Sequence, residues 1–302
     1  MKSVRRASRV VIKGYMSDPH DRSVATHLLL AIVVVFALML YGTLRYPASL
    51  SQGGLVSFLA TAGALLAYGA AALSARRQSA GSLRIALGQG ARFGILLGSV
   101  AVLSHVLEIF GNLGSPTSAI LGVSMWGLMF LAFGVVASST YNLFGSLRLS
   151  VFASVWCALV STVATLLAGY LIGVLFMAHM QQILQGAYAQ SGMADPRAYV
   201  IQNTLSSGAA HALLAPLVAV VFGLAGGLTA KILASVHRVV AIALGVFELI
   251  LLGAGLAAIR FASSLNRPDR PAFIMFGLLA LGVTMATAHA VLTAIHRQVA
   301  TE

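Results

Sequence analysis

Charge is scarce in this chain: 9% of the 302 residues are charged, and only seven are acidic. Water-soluble domains carry about 25% charged residues, so a surface this poor in charge excludes an ordinary soluble protein. Cysteine is almost absent. The single Cys157 rules out an intrachain disulfide framework and any zinc site built from paired cysteines. No HExxH or GxSxG pattern occurs, which removes the motif support for metallo- or serine hydrolysis. No catalytic residue, resident metal or cofactor is expected.

Hydrophobic side chains fill the gap, at 59% of the chain. A run of about 20 apolar residues crosses a bilayer core of roughly 30 Å. Eight stretches qualify, at about 25–44, 55–74, 93–110, 117–138, 151–177, 209–230, 239–259 and 272–295. The expected fold is therefore an all-α integral membrane protein, a polytopic helical bundle of about eight transmembrane helices, with seven or nine also allowed. It divides into a basic segment 1–24, one transmembrane domain 25–296 and a short tail 297–302. The polar leader is long and the first apolar run is full length, so that run reads as a retained helix rather than a cleaved signal.

The net charge of +12 does not indicate nucleic-acid binding, because the basic residues flank apolar runs. With the N-terminus inside, 14 Lys and Arg fall on the cytoplasmic side and five (Arg45, Arg197, Arg260, Arg267 and Arg270) outside. That bias places both termini in the cytoplasm. The basic connection "RFASSLNRPDR" at 260–270 runs against it. The expected location is a plasma membrane, the inner membrane of a bacterium, with the lipid bilayer as the first partner.

Phosphate-loop signals fail on spacing and context. "GQGARFG" at 88–94 follows no strand, and "GLAGGLTAK" at 223–231 departs from the Walker pattern. "DPHD" at 18–21 groups metal-ligating types in a polar leader without a scaffold. The glycines carry a firmer meaning. Gly90, Gly94 and Gly98 recur every fourth residue, as do the pairs Gly169/Gly173 and Gly223/Gly227. Small residues at this spacing let two helix backbones approach closely, inside one bundle or across a homo-oligomer face. Pro216, in "LLAPLVAV", removes one helical N–H and frees a carbonyl. It is a candidate hinge, bend or ion ligand.

Only Glu108 and Glu248, among the seven acidic residues, lie within apolar runs. A charge at the bilayer centre costs about 2.5–3.5 kcal/mol on insertion scales, so such residues face protein or a wet cavity. From a rise of about 1.5 Å per residue, Glu248 lies roughly 1.5 Å from the middle of its span, His105 about 5 Å and Glu108 about 10 Å towards the outside. His211 lies about 13 Å out and His289 about 8 Å in. His105 and Glu108 share a helix face with Gly94, Gly98 and Ala101. Glu248 shares one with Ala241, Gly245 and Gly255.

Carboxylates and imidazoles in a chain form intramembrane proton relays. The pattern therefore points to a pathway, with His105, Glu108 and His211 as an outer vestibule, Glu248 at the midplane and His289 inside. In the plainer alternative each group is satisfied locally, with Glu108 near water and the histidines bonded to carbonyls. Three functions fit: a transporter or permease for an ion or small solute, proton-coupled through Glu248; a non-catalytic membrane subunit or assembly factor for a partner such as an ATPase; and a lipid-modifying enzyme using His105 and Glu108. The third has no basic cluster outside to hold a phosphate headgroup.

Overall fold

The computed structural model describes residues 20–77, 81–111 and 115–235, with side chains described over most of 23–232. The two spans expected at 239–259 and 272–295, with Glu248 and His289, lie outside the described residues, as do both termini.

Every described element is a helix. In chain order these are α1 (His20–Arg45), a short 3-10 turn (Pro47–Leu50), α2 (Gly54–Arg77), α3 (Ser82–Phe110), α4 (Ser115–Phe144), α5 (Leu147–Leu175), two one-to-two-turn helices α6 (Met177–Ile183) and α7 (Gln185–Ser191), and α8 (Pro196–Ser235). Six of them, α1 to α5 and α8, are long and apolar enough to cross a membrane. The bundle has two unlike ends. One carries the 3-10 turn, α6 and α7, and is called the connector end. The other carries the tight α4–α5 turn, where Gly145 adopts φ 64° and Ser146 accepts a hydrogen bond from the Leu149 N–H.

The outside of the bundle is as apolar as its interior, where Phe133, Met39 and Leu65 are buried beside small hydroxyl residues. Large apolar residues such as Leu66 (72% exposed) and Val33 (64%) point outward, while Thr61, Ser138, Thr140, Ser150, Ser154, Ser161 and Thr162 are buried. Leucine gains nothing by leaving lipid, so helices associate through close packing and interhelical hydrogen bonds, which small residues permit. The central helix is α5. It packs against α1, α3, α4 and α8 and buries much of its length.

The glycine stripes locate these contacts. A methyl group added at Gly90 would lie 2.3 Å from the Ala153 carbonyl oxygen, one at Gly94 2.7 Å from the Cys157 carbonyl, and one at Gly98 2.9 Å from Ala164 Cβ. The α3 stripe thus lies against α5, and the two helices run parallel in constant register. Along α8 the order reverses: Gly173 faces Thr204, Gly208 faces Tyr170, Gly223 faces Ser154 and Gly227 faces Ser150. So α5 and α8 are antiparallel over nearly their whole lengths. Gly226 meets α4 instead, where a methyl group would lie 2.3 Å from the Gly134 carbonyl.

Three boundaries differ from expectation. The third helix begins at Ser82, so "SLRIALGQGAR" forms its first turns; there the Gln89 side chain accepts a hydrogen bond from Thr140 on α4 at 3.0 Å. The fourth runs to Phe144. The sixth begins at Pro196, thirteen residues early, giving a 40-residue helix about 60 Å long at about 1.5 Å per residue. Its polar first turns are held by the connector, where Gln202 Nε2 donates to the Ser51 and Gln52 carbonyls at 3.0 and 3.1 Å.

Helix α8 continues unbroken through Pro216. Proline cannot donate to the carbonyl four residues back, which is that of Ala212. The hydroxyl of Tyr68 on α2 donates to that oxygen. The carbonyl freed by Pro216 therefore already has a partner from a neighbouring helix.

Candidate functional site

Three of the ionisable candidates, His105, Glu108 and His211, lie in the connector half. On α3, one side of the last two turns presents His105 and Glu108, continuing the face that packs on α5 through Gly94 and Gly98. Directly opposite on α5 lies Gly169, where an added methyl group would sit 4.0 Å from His105 Nε2. Helix α8 brings His211 to the same place, and α4 supplies Trp126, whose ring centroid lies 5.3 Å from that of His211.

Between these helices are two adjoining cavities. The smaller, about 130 Å³, lies among α3, α4, α5 and α8 beside Trp126, Met125 and Met129. The larger, about 390 Å³, lies among α3, α5 and α8 and reaches Met180 on α6. His105, Glu108, Thr165 and His211 line both, so these four form the partition between them. His105 and His211 are half-buried, and Glu108 is exposed. The structure thus brings together three of the five ionisable candidates.

The wall of the larger cavity is polar in a directed way. Thr165 Oγ1 donates to the Ser161 carbonyl at 3.0 Å, and Thr204 Oγ1 donates to the Val200 carbonyl at 2.9 Å. A hydroxyl that has given its proton to its own helix keeps only lone pairs. Tyr170 is 2% exposed, and its hydroxyl is sealed inside the bundle. That hydroxyl rests against Gly208, also in the wall, where an added methyl group would approach it to 2.8 Å. Thr61 is the polar side chain facing it; the Thr61 proton goes to the Ser57 carbonyl at 2.9 Å, which leaves its oxygen free to accept from the tyrosine.

The rim is fixed by α6. His179 Nε2 donates to the Ile109 carbonyl at 3.0 Å, and its ring stacks on Phe110 with centroids 5.0 Å apart. Phe176 meets the same Phe110 ring edge-on. The last carbonyls of a helix have no intrahelical donor, so this histidine caps α3 one turn beyond His105 and at the residue after Glu108.

Among the described residues, no three His, Cys, Asp or Glu side chains are placed to hold a metal ion. His105, Glu108 and His211 share a cavity without forming a coordination shell. Thr165, Tyr170, Thr204 and His179 were missed by a sequence reading that weighed ionisable groups inside spans. Threonine and tyrosine in an apolar run pass for packing residues, and His179 falls just beyond the fifth span. The available signal was the pair of polar clusters "STVATLLAGY" and "QNTLSSG", which the antiparallel register of α5 and α8 sets side by side. Comparison with known proteins adds no name to this geometry: no family model, curated protein or solved structure matches the chain.

Proposed function

We propose that the protein is a transporter or permease for an ion or small solute, with the connector-half cavity as its binding compartment. The observation that carries this reading is the gathering of one carboxylate and two imidazoles, Glu108, His105 and His211, around a cavity of about 390 Å³ inside an apolar bundle. Ionisable groups within spans cost several kcal/mol to insert and mark solute or proton paths. Ligand cavities form between the helices of bundles and combine apolar walls with a few convergent polar groups.

The charge distribution supports an orientation. Arg22, Arg76, Arg77, Arg84, Arg92, Arg148 and Lys231 lie towards the tight-turn end, against Arg45 and Arg197 at the connector end. By the positive-inside rule the tight-turn end faces the cytoplasm and the cavity opens outward, in a plasma membrane. Glu248 then serves as the midplane carboxylate through which transport is coupled to protons, and His289 as the inner group; both lie outside the described residues.

Reconstitution into liposomes under a pH gradient tests the reading. Wild-type protein should collapse the gradient faster than empty liposomes, and Glu248→Gln should slow that flux at least about tenfold, as expected for loss of an obligatory proton site. Flux equal to that of empty liposomes, for protons and for added solutes, would sink the transport reading. If a stoichiometric partner then co-purified with the tagged chain, the reading would pass to a membrane subunit of a larger assembly, such as one with an ATPase.

A further inference from the structure

We infer that α6 is a strap across the connector end of the larger cavity, latched to α3 by His179, and that it swings aside to admit a solute. This rests on reading the cavity as a binding compartment. It goes further by saying what controls entry.

The backbone makes α6 a separate short rod. It leaves helical geometry at Phe176 (φ −111°, ψ 35°), between α5 and α6, and again at Leu184 (φ −88°, ψ 4°), between α6 and α7. Neither α6 nor α7 contains a buried residue, whereas the flanking turns of α5 and α8 bury Ile172, Gly173, Ala198 and Val200. Elements that move are drawn from those with few buried contacts. Helix α7 has its own anchor, because the Tyr188 hydroxyl donates to the Ala194 carbonyl at 3.1 Å and its ring meets Tyr199 on α8. The rod free to pivot is therefore Met177–Ile183, between the bends at Phe176 and Leu184.

The rod has a cavity side and a latch. Met180 supplies part of the cavity wall, and Thr204, another wall residue, packs on Gly173 one turn before the rod begins. On the latch, His179 Nε2 donates to the Ile109 carbonyl at 3.0 Å while its ring lies flat on Phe110, 5° from parallel. Phe176, at the first bend, closes on the edge of the same Phe110 ring. The catch therefore sits on the last turn of α3, next to Glu108 in the cavity wall. Releasing it is inexpensive, because the Ile109 carbonyl and the imidazole both exchange a protein partner for water at the end of the helix, and the net worth of such a bond is small. A strap that closes over a bound solute keeps water from it, as enzyme lids do.

The test is thiol accessibility in the full-length chain in detergent. Cys157 is fully buried and serves as an internal control. Thr204→Cys places a thiol in the cavity wall, and its rate of reaction with 2-(trimethylammonium)ethyl methanethiosulfonate reports opening. Adding His179→Ala should raise that rate at least about tenfold, the ratio expected from losing a hydrogen bond and a ring stack together. His179→Gln, which keeps a donor but loses the stack, should fall between the two. A thiol at the exposed Gln182 of the strap should react equally fast with or without His179. An unchanged rate at Thr204→Cys in His179→Ala protein that melts like the wild type overturns the inference. So does a rise at Thr204→Cys matched by labelling of Cys157, which would mean that the whole bundle loosens. If His179→Ala fails to fold, Phe110→Leu decides, with a rise of about threefold or more expected from loss of the ring stack. Faster labelling without any flux into liposomes would leave the strap standing and remove transport. Flux with labelling unchanged by His179→Ala would do the reverse.

Discussion

The two halves of the bundle use the same residue, glycine, for opposite ends. In the tight-turn half, Gly90, Gly94 and Gly226 meet backbone: the nearest atoms to an added methyl group are the carbonyl oxygens of Ala153, Cys157 and Gly134, at 2.3, 2.7 and 2.3 Å. In the connector half, Gly173 and Gly208 meet the polar ends of side chains, Thr204 Oγ1 and the Tyr170 hydroxyl, while Gly169 has only His105 at 4.0 Å. At Gly90, Gly94 and Gly226 the missing side chain closes the space between helices, whereas Gly223 and Gly227 in the same half meet the side chains of Ser154 and Leu147, and Gly54 at the connector end meets the Ser49 carbonyl. At Gly169, Gly173 and Gly208 it makes room for hydroxyls and an imidazole beside a cavity. The first arrangement supplies the close contact that association in lipid depends on, and it leaves the second free to hold polar groups.

The largest expected effects break the sealed half. An added methyl group at Gly90 or Gly226 collides with backbone that no rotamer change can move, so Gly90→Ala and Gly226→Ala should each cost about 1–3 kcal/mol, the usual range for overpacking. Unfolding in mixed micelles would measure it. A melting curve unchanged by either substitution would mean that the helices are not in backbone contact there. Gly227→Ala should cost less, because its first obstacle is the flexible end of Leu147, at 2.9 Å.

How much of this was legible in the sequence follows from which forces are local. Apolar run length is a property of consecutive residues, and six of the expected spans correspond to long apolar helices. Their ends were less legible. Arg84, Gln89 and Arg92 dilute the apolar signal at the start of α3, and "QNTLSSG" does so in α8, although both stretches are helical. Their polar groups have partners or walls elsewhere in the bundle: Gln89 bonds α4, Gln202 bonds the 3-10 connector, and Thr204 lines the cavity. The small-residue face of α3 was visible as a periodicity, but its partner α5 was not, because a stripe carries no address. His105 and Glu108 belong together by helical spacing alone, whereas His211 joins them only through the packing of α8.

The next effect in size concerns Pro216. The proline could be seen to free a carbonyl; that Tyr68 takes it is a contact between distant parts of the chain. Tyr68→Phe leaves the Ala212 oxygen unsatisfied in a buried place and should cost about 1–3 kcal/mol. Pro216→Ala restores the intrahelical N–H, so Tyr68→Phe should cost far less in that background. A double-mutant cycle reads the difference. Additive costs would show that the hydroxyl does not serve that carbonyl. Ser154 comes after it, donating from α5 to the Phe133 carbonyl on α4 at 2.7 Å. Ser154→Ala should cost about 0.6 kcal/mol and at most about 1.7, the range measured for interhelical hydrogen bonds in a membrane protein.

The smallest effect on stability sharpens the comparison most. Gly169→Ala adds a methyl group where only His105 Nε2 lies nearby, at ordinary contact distance, so stability should change by less than about 0.5 kcal/mol, as for substitutions that meet no steric or polar conflict. The same methyl group enters the wall of the larger cavity, and Gly169→Leu would fill much more of it. A folded Gly169→Leu protein that melts like the wild type but no longer carries protons or solutes into liposomes would establish the connector half as open, functional space. If Gly169→Leu instead destabilised the protein as much as Gly90→Ala, the two halves would be packed alike, and the distinction between a sealed and an open half would fail.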